Sequence, residues 1–321
     1  MNRPKAAEMG QTTRLPWLDI ARGAALWAMV LYHFSWDLLW FGLVDWPVAT
    51  GMGWRSFAIG IAASFLFLVG FSANLAHGKG IRWKGFWKRE AKIVAAAVLV
   101  SAGTYFALGS QMIRFGILHN IALSSLLVLL FLRLPFLLNT LIGLAVIALG
   151  NAVSPLAPDP LLFWIGLHPS PFVSVDFVPV FPWFGVVLLG LAASQYYTAM
   201  KLRRRAQELP EPPPRRLLPR AMGWSGRNSL FFYLAHQPIL FGSLWLLVAL
   251  GGLPDRDEMA FQSNCVAACV SSHEASQCET ACACTLERLQ QGDEWERLLN
   301  EPLNATLRPV IQQHFQICLA Q

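Results

Sequence analysis

The stretch over residues 15–43 is long and apolar enough to cross a membrane, yet it contains four ionisable side chains. These are Asp19, Arg22, His33 and Asp37. Arg22 and His33 are eleven positions apart, so on a helix they point only about 20° away from each other. An ionisable side chain in hydrocarbon costs on the order of 2.5 to 3.5 kcal/mol, so such a stripe would not persist against lipid. The stretch therefore predicts a membrane helix whose polar face lines a protein interior or a wet cavity.

Composition supports a polytopic membrane protein. The 321 residues are 55% apolar and only 14% charged, which is too apolar for a soluble domain of this size. The net charge of +6 comes from Lys and Arg in short segments between apolar stretches, a distribution typical of membrane orientation. We therefore expect membrane lipids as partners and no nucleic acid. The first stretch is too long for a signal-peptide core, and we expect it to be retained.

Seven apolar stretches predict an all-α bundle of about seven transmembrane helices. They cover residues 15–43, 55–76, 91–108, 113–133, 134–153, 181–197 and 228–250. The basic segment over 77–92 is interpreted as an interfacial loop that sets orientation, although its cations could also meet an anionic cofactor. A proline-rich loop over 154–180 and a basic connector over 201–220 complete the pattern.

The positions of the basic residues predict the orientation and the domains. Lys and Arg are concentrated before the first stretch, after the second and after the sixth, which puts the N-terminus in the cytoplasm. After seven crossings the C-terminal segment lies outside. We therefore expect a cytoplasmic segment over 1–14, a transmembrane domain over 15–250 and an extracytoplasmic tail over 254–321, in a bacterial inner membrane with a periplasmic tail.

The tail contains all six cysteines of the chain. They are Cys265, Cys269, Cys278, Cys282, Cys284 and Cys318. The first four form two Cys-x3-Cys pairs, and cysteines four apart lie on one face of a helix, so two helices can be joined antiparallel by two disulfides. The same spacing permits a metal site, but an oxidising compartment and the even count favour disulfides. Six cysteines allow about fifteen pairings, and the third bridge stays open.

Two histidines at matching depths are candidates for catalysis. A neutral imidazole at His33 can act as a general base, and Asp37, one turn further on, can fix its tautomer and stabilise its protonated form. His119 on the fourth stretch is expected at the same depth and is assigned to assist catalysis. The alternative is a buried polar network that only sets helix packing.

A second group of polar residues lies nearer the cytoplasmic side. Arg22 is expected near the inner mouth of the first helix, where Asp19, three residues earlier, can pair with it. Tyr233 and His236 share a face of the seventh stretch in its inner half, nearer to Arg22 than to His33.

Three sequence motifs resemble those of a known family. The run over 18–23, Leu-Asp-Ile-Ala-Arg-Gly, followed ten residues later by His33, is similar to the signature of membrane-bound acyltransferases. The continuation over 32–38 and the runs over 114–119 and 228–238 resemble bacterial relatives of the heparan-alpha-glucosaminide N-acetyltransferase catalytic domain. The resemblance covers about residues 14–250, with the motifs in the right order.

The resemblance implies acetyl transfer from cytosolic acetyl-CoA to an amine or hydroxyl of a sugar or glycan on the other face of the membrane. No metal is expected. The assigned roles are donor binding by Arg22, Asp19, Tyr233 and His236, and catalysis by His33, Asp37 and His119.

Two other functions fit the same residues. Buried columns of Asp, Arg and His also form proton relays, so a proton-coupled transporter or a flippase of lipid-linked sugars is one alternative. A membrane scaffold whose tail binds a periplasmic partner is the other. Acceptor identity, acyl chain and oligomeric state are left open by the sequence.

Overall fold

A computed structural model describes residues 15–152, 160–166, 174–204, 217–253, 255–301, 304 and 306–320. The N-terminal segment predicted over 1–14 lies outside these residues, as do much of the predicted loop over 154–180 and of the connector over 201–220. Across the described ranges the chain forms helices and irregular segments, with one isolated bridge between Phe115 and Phe177. The predicted all-α class is confirmed.

Twelve α-helices follow one another along the described chain. They are α1 (Pro16–Trp40), α2 (Met52–His77), α3 (Trp83–Leu108), α4 (Ile117–Leu127), α5 (Phe136–Ala152), α6 (Val180–Arg204), α7 (Leu217–Arg227), α8 (Ser229–Ala249), α9 (Arg256–Cys269), α10 (Ala275–Gln291), α11 (Glu294–Asn300) and α12 (Leu307–Leu319). Short 3-10 helices cover Gly109–Gln111, Val128–Phe131 and Pro160–Ile165.

Four described stretches are long and apolar enough to cross a membrane. They are Met52–His77, Trp83–Gln111, Val180–Met200 and Ser229–Ala249. These correspond to the predicted second, third, sixth and seventh crossings. The fourth and fifth correspond to the shorter apolar stretches Ile117–Phe131 and Phe136–Gly150, and the first to the 25-residue helix α1. A total of seven crossings stays a prediction.

The chain divides into two compact units. The first comprises residues 1–32 and 51–237, and the second comprises 33–50 and 238–321. The division passes through α1 after Tyr32 and through α8 after Gln237. Helices α2 to α7 belong wholly to the first unit, and the cysteine-bearing helices belong to the second.

In the first unit, α6 packs extensively against both α2 and α5. Glycines permit the approach of α2 to α6, because a Cβ on Gly70 would overlap the carbonyl oxygen of Val187 and one on Gly190 would overlap that of Phe67. Small residues at such positions let two backbones approach closely inside a membrane.

Three disulfides hold the second unit. They join Cys265 to Cys282, Cys269 to Cys278 and Cys284 to Cys318. The first two connect α9 and α10 in the predicted antiparallel arrangement, and the third connects α10 to α12. Every cysteine is paired. The disulfide prediction is confirmed.

The basic segment after α2 differs from its predicted form. Sequence analysis places a loop over 77–92, whereas α3 begins at Trp83 and makes most of this segment helical. No proline interrupts the run from Trp83 into the alanine-rich part of α3, and Lys, Arg and Glu are good helix formers. Trp83 and Trp87 stack one turn apart, with ring centroids separated by 6.5 Å. Four of the six Lys and Arg residues of this segment therefore lie on one helix: Lys84, Lys88, Arg89 and Lys92.

Candidate functional site

The first unit contains a cavity of about 740 Å³ lined by residues of α1, α2, α3, α4, α7 and α8. Five of the lining residues are cationic. They are Arg22, Lys88, Arg89, Lys92 and Arg227. None of the described lining residues is Asp or Glu. Cations concentrated around one space whose described lining includes no acidic residue favour binding of an anion. We call this space the cationic cavity.

Three of these cations come from the first turns of α3. Lys88, Arg89 and Lys92 follow the spacing of neighbours on one helix face, and Gly85, one turn earlier, lines the same wall. Arginine and lysine at this density are well suited to the oxygens of a phosphorylated ligand.

Arg22 reaches the cavity from α1 and is held by two partners. Its guanidinium donates to Asp19 Oδ1 at 3.2 Å and to Ser72 Oγ at 2.5 Å. The Ser72 hydroxyl in turn donates to the carbonyl oxygen of Leu68 at 2.6 Å. Sequence analysis predicts the Asp19–Arg22 pair, and the structure confirms it. Among the described residues, the cavity lining includes Arg22 and not Asp19, so Asp19 orients the arginine from outside the cavity.

The fifth cation depends on a close contact between α1 and α7. A Cβ on Gly23 would overlap the carbonyl oxygen of Met222, and one on Gly226 would overlap that of Asp19. The two glycines therefore let α7 lie directly against α1. Arg227, the residue after Gly226, lines the cavity.

Tyr233 lines the same cavity as Arg22, whereas His236 is not among its described lining residues. His236 lies one turn further along α8, is 9% exposed, and its Nδ1–H donates to the carbonyl oxygen of Tyr233 at 2.7 Å. The structure thus unites two of the four predicted donor-binding residues in one cavity and places the other two beside them.

His119 is anchored through both ring nitrogens. Its Nδ1 accepts from the backbone N–H of Gly116 at 3.3 Å, so in the neutral ring Nε2 carries the proton. Nε2 then donates to Ser101 Oγ at 3.2 Å, and that hydroxyl donates to the carbonyl oxygen of Ile113 at 2.7 Å. His119 therefore connects the start of α4 to α3. Its catalytic role stays a prediction.

His33 and Asp37 belong to the second unit. Helix α1 carries them and Arg22 without a break, as sequence analysis predicts. His33 is half-buried and Asp37 is 2% exposed. Their catalytic roles stay predictions.

Residues 14–238 match the family model described as heparan-alpha-glucosaminide N-acetyltransferase, catalytic. The match covers more than two thirds of the 321-residue chain. The chain belongs to this family. The resemblance that the motifs predict is confirmed, and the protein is a membrane acetyltransferase by family. No curated protein and no solved structure matches the chain significantly.

The match to the heparan-alpha-glucosaminide N-acetyltransferase family contains the whole cationic cavity and all seven predicted site residues. The cysteine-bearing helices follow the end of the matched range. Within the described residues there is no group of three or more His, Cys, Asp or Glu side chains that could hold a metal ion.

Sequence analysis missed four of the five cavity cations as site residues. It interprets Lys88, Arg89 and Lys92 as part of an orientation-setting loop whose cations could also meet an anionic cofactor, and it gives Arg227 a part in orientation only. Two signals in the sequence point to them. The first three have helical spacing with no intervening proline, and Arg227 directly precedes the third family motif.

Proposed function

We propose that acetyl-CoA is the donor and that the cationic cavity binds its phosphates. The observation that carries the proposal is the presence of five cationic side chains around one cavity whose described lining includes no acidic residue. Phosphate oxygens form charge-assisted hydrogen bonds with arginine and lysine, which are about twice as strong as neutral ones.

The remaining lining suits the less polar part of the donor. Leu26, Phe65, Leu118 and Ile121 give the cavity an apolar wall. Pockets for small molecules typically combine such walls with a few placed polar groups. The pantetheine arm and its thioester would pack on this wall while the phosphates meet the cations.

The acceptor in this proposal is an amine or hydroxyl of a sugar, in keeping with the glucosaminide in the family's name. Its nitrogen or oxygen bonds to the acetyl carbonyl carbon, the C–S bond of the thioester breaks, and CoA leaves as a thiolate. The acceptor's proton passes to a general base. For direct transfer we assign this base to His33, oriented by Asp37. In the two-step alternative the imidazole of His33 attacks the thioester first and releases CoA as the thiolate. The acceptor then displaces the imidazole, which leaves with the acceptor's proton.

The other predicted residues take supporting roles. Asp19 orients Arg22 on the donor side, and His236 supports Tyr233. His119 keeps its assignment near the acceptor. The donor would arrive from the cytosol and the acceptor from the far side of a bacterial inner membrane, with the N-terminus in the cytoplasm, as the distribution of basic residues favours.

The test is acetyl transfer by the full-length protein in inverted membrane vesicles. Acetyl-CoA labelled in the acetyl group should yield labelled glycan, and His33→Ala should lower the rate at least about 100-fold because it removes the base. His273→Ala, at an exposed histidine of the tail, is the matched control and should keep the wild-type rate. Undiminished transfer by His33→Ala would exclude His33, and wild-type vesicles that move glycan without labelling it would indicate a transporter.

A further inference from the structure

Asp176 lies on a segment that is fixed against the chain leading into α4. The N–H of Val175 donates to the carbonyl oxygen of Gln111 at 3.2 Å. The N–H of Val178 donates to the carbonyl oxygen of Phe115 at 3.0 Å. The amide of Asn120, which is fully buried, donates to the carbonyl oxygen of Val178 at 3.1 Å. The backbone on either side of Asp176 is therefore held in place.

The carboxylate of Asp176 has one oxygen engaged. Oδ2 accepts from the backbone N–H of Ile117 at 3.0 Å, directly beside the Gly116 N–H that donates to His119. A Cβ on Gly116 would overlap this oxygen, so the glycine admits the carboxylate. Among the described residues, the bond from Ile117 is the one hydrogen bond that the carboxylate accepts. The side chain is half-buried, and Oδ1 accepts no hydrogen bond from the described residues.

Aromatic side chains from two other helices lie near this carboxylate. Tyr32 on α1 and Tyr233 on α8 are both within electrostatic reach of Asp176. Tyr32 also packs with Trp54 and Phe57, with ring centroids 6.3 Å away in each case. Such rings offer flat apolar surfaces with a polar edge.

Tyr233 connects this group of residues to the donor site, because its side chain lines the cationic cavity. Leu118, the residue after Ile117, lines the cavity as well. Ile117, whose N–H binds the carboxylate, thus directly precedes one residue of the cavity lining, and Tyr233, within electrostatic reach of the carboxylate, is another.

We propose that Asp176 binds the amino group of the acceptor and so selects amino sugars over sugars that offer only hydroxyl groups. This inference rests on the proposed function and names the residue that recognises its acceptor. A half-buried carboxylate forms a strong charge-assisted hydrogen bond with an ammonium group. One ammonium proton passes to a base before the nitrogen attacks the acetyl carbon. The rings around Tyr32 would pack against the sugar.

The experiment compares Asp176→Asn with Ser174→Ala in full-length protein in nanodiscs, using glucosamine as the acceptor. Asparagine keeps an oxygen for the Ile117 N–H and removes the charge. We expect the KM for glucosamine to rise about 10- to 100-fold, the equivalent of one charged hydrogen bond, with the KM for acetyl-CoA unchanged. Ser174→Ala removes hydrogen bonds to Met112 and to the backbone of Asp176 while keeping the carboxylate, and should stay near wild type.

The pH profile gives a readout that a purely structural role would not change. Burial raises the pKa of Asp176 to about 6 against the lowering effect of the Ile117 hydrogen bond. Wild-type KM for glucosamine should therefore rise as the pH falls through about 6 and the carboxylate takes up a proton. Asp176→Asn should lose this dependence.

An unchanged glucosamine KM in Asp176→Asn, or an equal rise in Ser174→Ala, would overturn the inference. If wild-type protein transfers no label, the proposed function fails by itself. Glucosamine binding can then be measured by saturation-transfer NMR. Binding to the wild type that weakens in Asp176→Asn would support the role of Asp176. Binding that is absent from both proteins, or equal in both, would refute that role.

Discussion

At the scale of single residues, the hydrogen-bond partners of Arg22 explain how a charged side chain can lie inside an apolar helix. Asp19 and Ser72 accept its hydrogen bonds on two different helices, and the guanidinium still lines the cavity. A paired arginine keeps its charge and its fixed orientation at a lower cost than an isolated one.

Arg22→Ala should raise the KM for acetyl-CoA about 10- to 100-fold, because one charge-assisted contact to phosphate is lost. The KM is measured from steady-state acetyl transfer at varied concentrations of acetyl-CoA. Arg55→Ala is the matched control, since Arg55 is exposed on α2 and does not line the cavity. An unchanged KM in Arg22→Ala, or the same rise in Arg55→Ala, would contradict the role of Arg22.

At the scale of helices, the close contact between α1 and α7 helps to position one side of the cationic cavity. Gly23 and Gly226 face the backbone of the opposite helix, with no room for a side chain. Because Arg227 follows Gly226 directly, the close contact also determines where the fifth cation lies.

Gly226→Ala should destabilise the protein by about 1 to 3 kcal/mol, the usual cost of overpacking, and should also weaken donor binding because Arg227 is displaced. Thermal unfolding in detergent measures the first effect and the KM for acetyl-CoA the second. Gly103→Ala is the control: open space surrounds Gly103 on α3, so alanine there should be neutral or stabilise by up to about 1 kcal/mol. If the Gly226→Ala protein were as stable as wild type, α1 and α7 could move apart without loss of stability, and the prediction would be wrong.

Features that depend on local spacing could be predicted from the sequence. The helices, the Asp19–Arg22 pair and the α9–α10 disulfides all follow from residues a few positions apart. The predicted start of the third helix, after a loop over 77–92, was wrong, because Lys and Trp are common both in interfacial loops and in helices. The pairing of the segment around Asp176 with the residues before α4 joins positions about sixty apart, and no periodic pattern marks such a contact.

At the scale of the whole molecule, the family match and the disulfides fall on different parts of the chain. The match ends at residue 238, and the three disulfides lie after it, on helices α9, α10 and α12. Disulfides persist in oxidising compartments, which supports the proposed location of the tail outside the cytoplasm.

The cysteines should therefore be labelled by a membrane-impermeant maleimide in spheroplasts only after an impermeant reductant has been applied. All six are paired, so untreated protein should incorporate no label. Sealed inverted vesicles, in which the tail would face the lumen, are the control and should stay unlabelled. Labelling without reduction would contradict the disulfides, and labelling of inverted vesicles alone would reverse the orientation.

The five positive side chains around one cavity have a consequence for the conditions in which the protein works. Mobile counter-ions gather wherever charge of one sign is concentrated, and a polyanionic ligand must displace them when it binds. Each displaced ion makes the equilibrium depend on the bulk concentration of salt. The affinity for the proposed donor should consequently fall as ionic strength rises, and donor binding measured at several salt concentrations would show this dependence.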